Sequence, residues 1–385
     1  MTDPERRAFL RATGAIAAAT ALALPAPASA KPGTRAPVSV LLPGSDDRHA
    51  ARTAFLSGFQ SAISRHSLPL AAEILPFPGS LSTLPESLRQ HLSKVRSTAL
   101  VGLLSRNQAS SLEGVLDQAQ LPSLICDIGA DVVRGQHNSA WLLRHSLGYW
   151  QTSHAMGAWS AAQLGQRALI ATDYLESGHD LVYAFHRGFV SAGGYIPSVH
   201  VSNSADLAAD LPALFEAIRA ERPDFVYALY SGTRAKQFLA AYSQSGLGIP
   251  LAGPALLTQA VDHAERFPHA EQVIQAASWP ISPDTPCCPL ALLGFEAALR
   301  LANAFASAGT SGEALAHALA RAPVDGPRGR MVPAPDLADV RAELHLHLPQ
   351  RSARSVVVAQ SMTAATVHHM RGMLKTGWTA PYLLA

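Results

Sequence analysis

Cysteine is nearly absent: the 385 residues hold three, Cys126 alone and Cys287 beside Cys288. So few thiols exclude a disulfide-built scaffold. They leave open a bridge from Cys126 to either neighbour of the pair, which only the Cα separation can decide. A charge excess of one sign is missing too, with 30 basic against 28 acidic residues. That balance gives no footprint for nucleic acid or for an anionic membrane surface. Past residue 30 no stretch supplies the roughly 18 uninterrupted apolar residues of a spanning helix, so no direct membrane insertion is expected.

The short motifs of common enzyme classes are also lacking. There is no G-x-G-x-x-G, no Walker loop, no H-E-x-x-H, no C-x-x-C and no G-x-S-x-G. No nucleophile, base and oxyanion site can be assembled from what remains. Sixteen histidines raise the question of a metal. Yet His345 and His347 read as a solvated strand face, and the adjacent His368 and His369 point in different directions on a helix. No metal and no cofactor is expected.

What is present begins with an export signal. Arg6-Arg7 is followed by Phe9-Leu10, then by an uncharged Ala/Leu-rich run from Ala12 to Leu24, then by Ala28-Ser29-Ala30. Basic head, short apolar middle and small-residue exit describe a signal cleaved after Ala30, and the Arg pair gives it a twin-arginine look. Removing residues 1–30 leaves 355 residues with 27 basic and 26 acidic side chains, a net charge of +1. That length suggests two domains and suffices for a large core without metals or disulfides.

The mature sequence alternates apolar runs with amphipathic stretches, the pattern of a parallel α/β sheet. VSVLL (38–42), ALVGLL (99–104) and Ser123 to Asp127 read as strands, with helices between them. A second series starts near Tyr149, with strands at 168–172, 196–201 and 225–229, and helices at 180–192, 207–220 and 233–245. A Pro-rich segment, 280–289, leads to an Ala/Leu helix at 290–307 and a shorter one at 312–321, and the tail carries a strand pair at 343–348 and 355–358. Two such series predict two lobes around a cleft, with ligands at the carboxyl ends of the strands. The loops to watch are 43–48 (with Ser45), 105–108, 127–131, 173–178, 230–233 and 254–258.

Several blocks then fall in a recognisable order. They are ALVGLLSRNQAS, LPSLICDIGAD, ALIATDYLESGHDLVYAFHRGFVSAGGYI, RPDFVYALYSGTRAKQFLAAYSQSGLGIPLAGP, LLGFEAALRLANAFASAG and DGPRGRM. With these the chain resembles the type I periplasmic binding proteins, in particular the branched-chain amino-acid and amide-binding importer components, from Val38 to about Gln360. The resemblance implies two Rossmann-like lobes joined by three hinge crossings, one of 38–145 plus 281–335 and the other of 146–278 plus 340–385. It further implies a monomer in the periplasm that closes on a small molecule and presents it to an inner-membrane ABC permease, without enzymatic chemistry. A periplasmic sensor feeding a signalling receptor is the second reading, and an α/β hydrolase-type enzyme the third.

The family's site residues carry over in part. Gly129 and Ala130 match the loop that holds a ligand carboxylate, while Asp127 and Asp131 stand at its hydroxyl positions. Arg106, beside Asn107, supplies a guanidinium fork suited to an anion. Ser177 stands where a tyrosine is usual, with Tyr174 nearby, and Ser231 replaces another tyrosine beside Tyr230. Gly253-Pro254 is followed by Ala255, where the family keeps an acid for the α-ammonium group. Losing that partner in a closed cleft costs a zwitterion several kcal/mol, so leucine-like recognition is not expected. Tyr149, Trp150, Tyr174 and Tyr230 are candidates for an aromatic lining, with core packing the alternative for each.

Overall fold

Strands form where the chain stays apolar on both faces. Val38, Val40, Leu41 and Leu42 have no exposed surface within β1 (Ala36–Pro43), as a parallel strand between two helical layers requires. The computed structural model describes residues 35–44, 49–77, 80–133, 139–259, 273–280, 288–310, 312–334, 339–348, 354–359 and 364–372. Residues 1–30, where the export signal is expected, Ser45 and Cys287 lie outside the described residues.

The first sheet joins β1 to β2 (Leu70–Phe77), β3 (Ala99–Leu103), β4 (Ser123–Asp127) and β5 (Leu142–Ser146), all parallel in the order β2-β1-β3-β4-β5. Between them run α1 (His49–Arg65), α2 (Leu84–Lys94) and α3 (Arg106–Ala119). The second sheet has β6 (Ala168–Asp173), β7 (Val199–Ser202), β8 (Phe225–Leu229), β9 (Leu251–Pro254) and β10 (Ile274–Ala277) in parallel. To these it adds β14 (Leu344–Leu348), which runs against both its neighbours, and β15 (Arg354–Ala359) at the edge. Its helices are α4 (Tyr149–Gln163), α5 (Leu181–Ser191), α6 (Leu207–Glu221), α7 (Gly232–Gln244) and the short α8 (Leu256–Gln259).

The chain passes to the second sheet at Leu147–Gly148, returns between Ala277 and Pro289, and passes again at Ala342–Glu343. On its return it forms α9 (Pro289–Ala308), which packs on α1, β4 and β5, and α10 (Gly312–Arg321). A three-stranded antiparallel sheet follows, β11 (Val324–Gly326), β12 (Gly329–Ala334) and β13 (Asp339–Arg341), with β13 against β5. The last described element is α11 (Ala364–Gly372).

The same device packs a helix pair in each lobe. Gly58 of α1 faces the Ala291 carbonyl of α9, and Gly294 faces the Phe55 carbonyl; a Cβ at either glycine would overlap the facing backbone. In the other lobe Gly157 of α4 meets the Phe185 carbonyl and Gly188 of α5 meets that of His154. Absent side chains let backbones approach this closely.

Three sequence expectations change, and one open question closes. The strand placed at 196–201 begins at Val199. β2 and β5 appear where none was read, because Glu73 and Pro76 in one and Arg144 and His145 in the other interrupt the apolar run. His345 and His347 are buried rather than solvated, since β14 lies inside the sheet beneath α4. Cys126 is a free thiol in the middle of buried β4, so it bridges to neither member of the pair.

Candidate functional site

Two loops at carboxyl ends of strands meet across the gap between the sheets. One follows β4 and runs from Ile128 to Val133; the other follows β6 and runs from Tyr174 to Asp180. Across the gap His179 Nδ1 donates to Asp131 Oδ2 at 3.2 Å, and the Val132 amide donates to Asp180 Oδ2 at 2.8 Å. Asp131 Oδ1 is buried with no hydrogen-bond partner among the described residues. Arg106, half-buried in the first turn of α3, donates through Nη1 to the Val132 carbonyl at 3.4 Å. From α11, Arg371 Nε reaches the Val133 carbonyl at 2.9 Å. α3 itself starts at Ser105 with a capping box closed by Gln108, which fixes where Arg106 stands.

Behind the second loop sits a buried acid. Glu176, on a 3-10 turn (Glu176–Gly178), takes a hydrogen bond from the Ser231 hydroxyl. Burial pushes its carboxyl up to about 7, with the charge of Asp173 adding to the rise and the Ser231 hydrogen bond opposing it. At neutral pH Glu176 is therefore shared between neutral and charged forms. Asp173 is held by Arg234 Nε and accepts the Leu175 amide at 2.8 Å. Together these loops offer a polar grip: acceptors from Asp131, a donor or acceptor from Glu176, the guanidinium of Arg106 and the imidazole of His179.

The remaining expected site residues fall in other places. Asp127 is spent within the first sheet: Arg144 binds it through Nε and Nη2, both at 2.7 Å, and the Gly129 amide donates to Oδ1 at 2.6 Å. Burial raises its carboxyl pKa and Arg144 opposes the rise. A side chain so engaged positions its own loop rather than meeting a ligand. Gly129 adopts φ 74°, and a Cβ there would sit 2.6 Å from the Gly148 nitrogen, so packing against the first crossing requires glycine. Its amide is given to Asp127, and Ala130 belongs to the core. Tyr149 is buried edge-on to Trp279 at 6.1 Å, with Trp150 in the same core. Tyr230 stacks on Phe238 at 4.4 Å and shares a hydrogen bond with Ser202, so it too is core rather than lining. Tyr174 is 49% exposed, and the Ser177 hydroxyl donates to its carbonyl at 2.7 Å. Asn107 is exposed, and buried Ala255 gives its amide to the Ala276 carbonyl at 2.9 Å.

A second polar cluster lies where the chain changes lobes, and sequence reasoning missed it. Glu296 and Arg300 of α9, Arg328 between β11 and β12, His145 of β5 and Asp339 of β13 are all buried there with Arg144. Arg328 Nη2 meets Glu296 Oε2 at 2.7 Å, and His145 Nε2 donates to the same oxygen at 3.2 Å. Burial pulls His145 below its usual range, and lowers Arg300 to about 10. The signal was available: Glu296 and Arg300 stand four apart as the two charged residues of an Ala/Leu-rich helix, hence on one face.

Comparison with curated proteins gives no match. Residues 88–336 match the family model of the periplasmic binding proteins. Among solved structures, a solute binding protein of an ABC transporter from R. palustris, in complex with benzoate, is similar at 19% identity and TM-score 0.68, covering 86% of this chain and 98% of that one. An ABC transporter substrate-binding protein from Sphaerobacter thermophilus gives 21% identity and TM-score 0.72 over 84% and 97%. A leucine binding protein from Thermotoga maritima gives 16% and 0.63 over 84% and 98%. Two parallel sheets, three crossings and a family match over most of the chain agree: this protein belongs to the periplasmic binding protein family.

Proposed function

We propose that the chain is the solute-binding component of an ABC importer, exported and cleaved after Ala30, and acting as a monomer in the periplasm. The contact of the Asp131–Val132 loop with the His179–Asp180 loop supports this most. It joins the two lobes at the carboxyl ends of their strands, where a solute held by both would stabilise closure. An inner-membrane permease then reads the closed shape.

The solute is a small organic compound lacking a free α-ammonium group. Ala255 offers no counter-charge where the family keeps an acid. Aromatic acids come first among candidates, since a structural neighbour is described with benzoate and the Arg106 guanidinium stands beside the first loop of the gap. A thermal-shift screen of residues 31–385 against aromatic acids, amides, amines and amino acids tests the reading. A solute at 100 times its dissociation constant adds about 2.7 kcal/mol. Stabilisation by a compound outside the α-amino acids is the expected outcome; micromolar binding of leucine, isoleucine or valine overturns the solute class.

A further inference from the structure

The cluster at the crossings is arranged around the hinge backbone rather than around the cleft. Arg328 spends Nε and Nη2 on Glu296 and turns Nη1 to two different crossings, the Ser146 carbonyl at 3.0 Å and Ser278 Oγ at 3.0 Å. Ser278 in turn donates to the Leu147 carbonyl at 2.6 Å, tying the second crossing to the first. Asp339, at the foot of the third crossing, accepts the Ser146 amide at 2.9 Å through Oδ1 and the Ser146 hydroxyl through Oδ2.

We propose that Arg328 and Asp339 are positioning residues that clamp the three crossings together and so set the angle at which the lobes rest before a solute arrives. Three acids (Asp127, Glu296, Asp339) face three arginines (Arg144, Arg300, Arg328) in this buried cluster, so the opposite charges balance. Glu296 Oε1 and Arg300 Nε lack a hydrogen-bond partner among the described residues, whereas the Arg328 and Asp339 side chains are fully engaged, so the stiffness lies in their bonds to the crossings. The guanidinium fork can hold a carboxylate and two further acceptors at once, which an ammonium on a flexible stem cannot do with fixed geometry. Arg328, on the turn between β11 and β12, and Asp339, on β13, belong to the three-stranded unit that packs on the first lobe, while the groups they hold lie at the crossings. Rotation of the second lobe therefore has to work against these bonds. The clamp also reaches the binding loop. Arg144 Nε lies 3.9 Å from Asp339 and 2.7 Å from Asp127, whose Oδ1 holds the Gly129 amide.

The test is hydrogen exchange on residues 31–385 without solute, so its outcome is independent of the importer reading. One variant pairs Arg328→Met with Glu296→Gln, removing the clamp and its counter-charge together. A milder one, Ser278→Ala, removes a single clamp contact and carries the test if the first misfolds. The expected result is roughly tenfold or faster exchange of the amides of residues 146–149, with those of β3 and β8 unchanged. Small-angle scattering is expected to show a larger radius of gyration for the same variants. Exchange at the wild-type rate in the folded variants overturns the clamp. So does acceleration that only keeps step with β3 and β8, which would make the network a matter of global stability.

Discussion

Asp127 and Asp131 are four residues apart, yet they do different things. Asp127 is one half of a buried bidentate pair with Arg144, whereas Asp131 reaches across to the other lobe and keeps one oxygen without a partner among the described residues. Asp127→Ala strands a buried guanidinium and is expected to lower stability by about 3–5 kcal/mol in denaturant titration. Asp131→Ala is expected to change affinity for the true solute while the unliganded protein melts as before; unchanged affinity removes Asp131 from the site. Glu176 gives a pH signature. Its folded-state pKa of about 7 lies above the ordinary 4.5, so between those values the folded chain binds a proton that the unfolded chain has released. Stability therefore falls as pH rises through that window, by up to about 3 kcal/mol from this group. His154, lowered to about 4 by burial and by Arg187, acts in the opposite sense and loses stability as pH falls below its ordinary 6.5. The difference between wild type and Glu176→Gln isolates the first effect: the variant gains stability above pH 7 and matches wild type below 4.5.

At the scale of elements, local pattern was a good guide wherever burial was two-sided and apolar. The runs 38–42, 168–172 and 225–229 fall within β1, β6 and β8. It failed where a strand is half exposed, as in β2, or where its buried side chains are polar, as in β5 with Arg144 and His145. Neither failure reflects weak pairing, since both strands hold full parallel register with their neighbours. The glycine crossings are testable at this scale. Gly58→Ala and Gly188→Ala push a methyl group into a facing carbonyl, and each is expected to cost about 1–3 kcal/mol or more. Gly114→Ala on α3 meets nothing within 4 Å and is expected to stabilise by about 0.5–1 kcal/mol. Urea titration of the three variants checks both signs.

For the whole molecule, the order of sequence blocks was enough to anticipate two sheets and three crossings, because those blocks include the strand-loop-helix corners that define the architecture. The site was less legible. Asp131 and Arg106 were picked out by position, and Glu176 as one of two carboxylates after a strand, but His179 was not, because its role depends on which loop of the other lobe it faces. Asp127 was placed at the site because Arg144, which absorbs it, comes from a neighbouring strand that no local pattern links to it, while Tyr230 took the core-packing alternative, stacked on Phe238. The measurement that bears most directly on the account is calorimetric titration of residues 31–385 with benzoate, 4-hydroxybenzoate and leucine, followed by recovery of the solute. The account predicts one-site saturation by an aromatic acid, recovered chemically unchanged, and no heat from leucine. Saturation by leucine alone, or recovery of an altered compound, would contradict it.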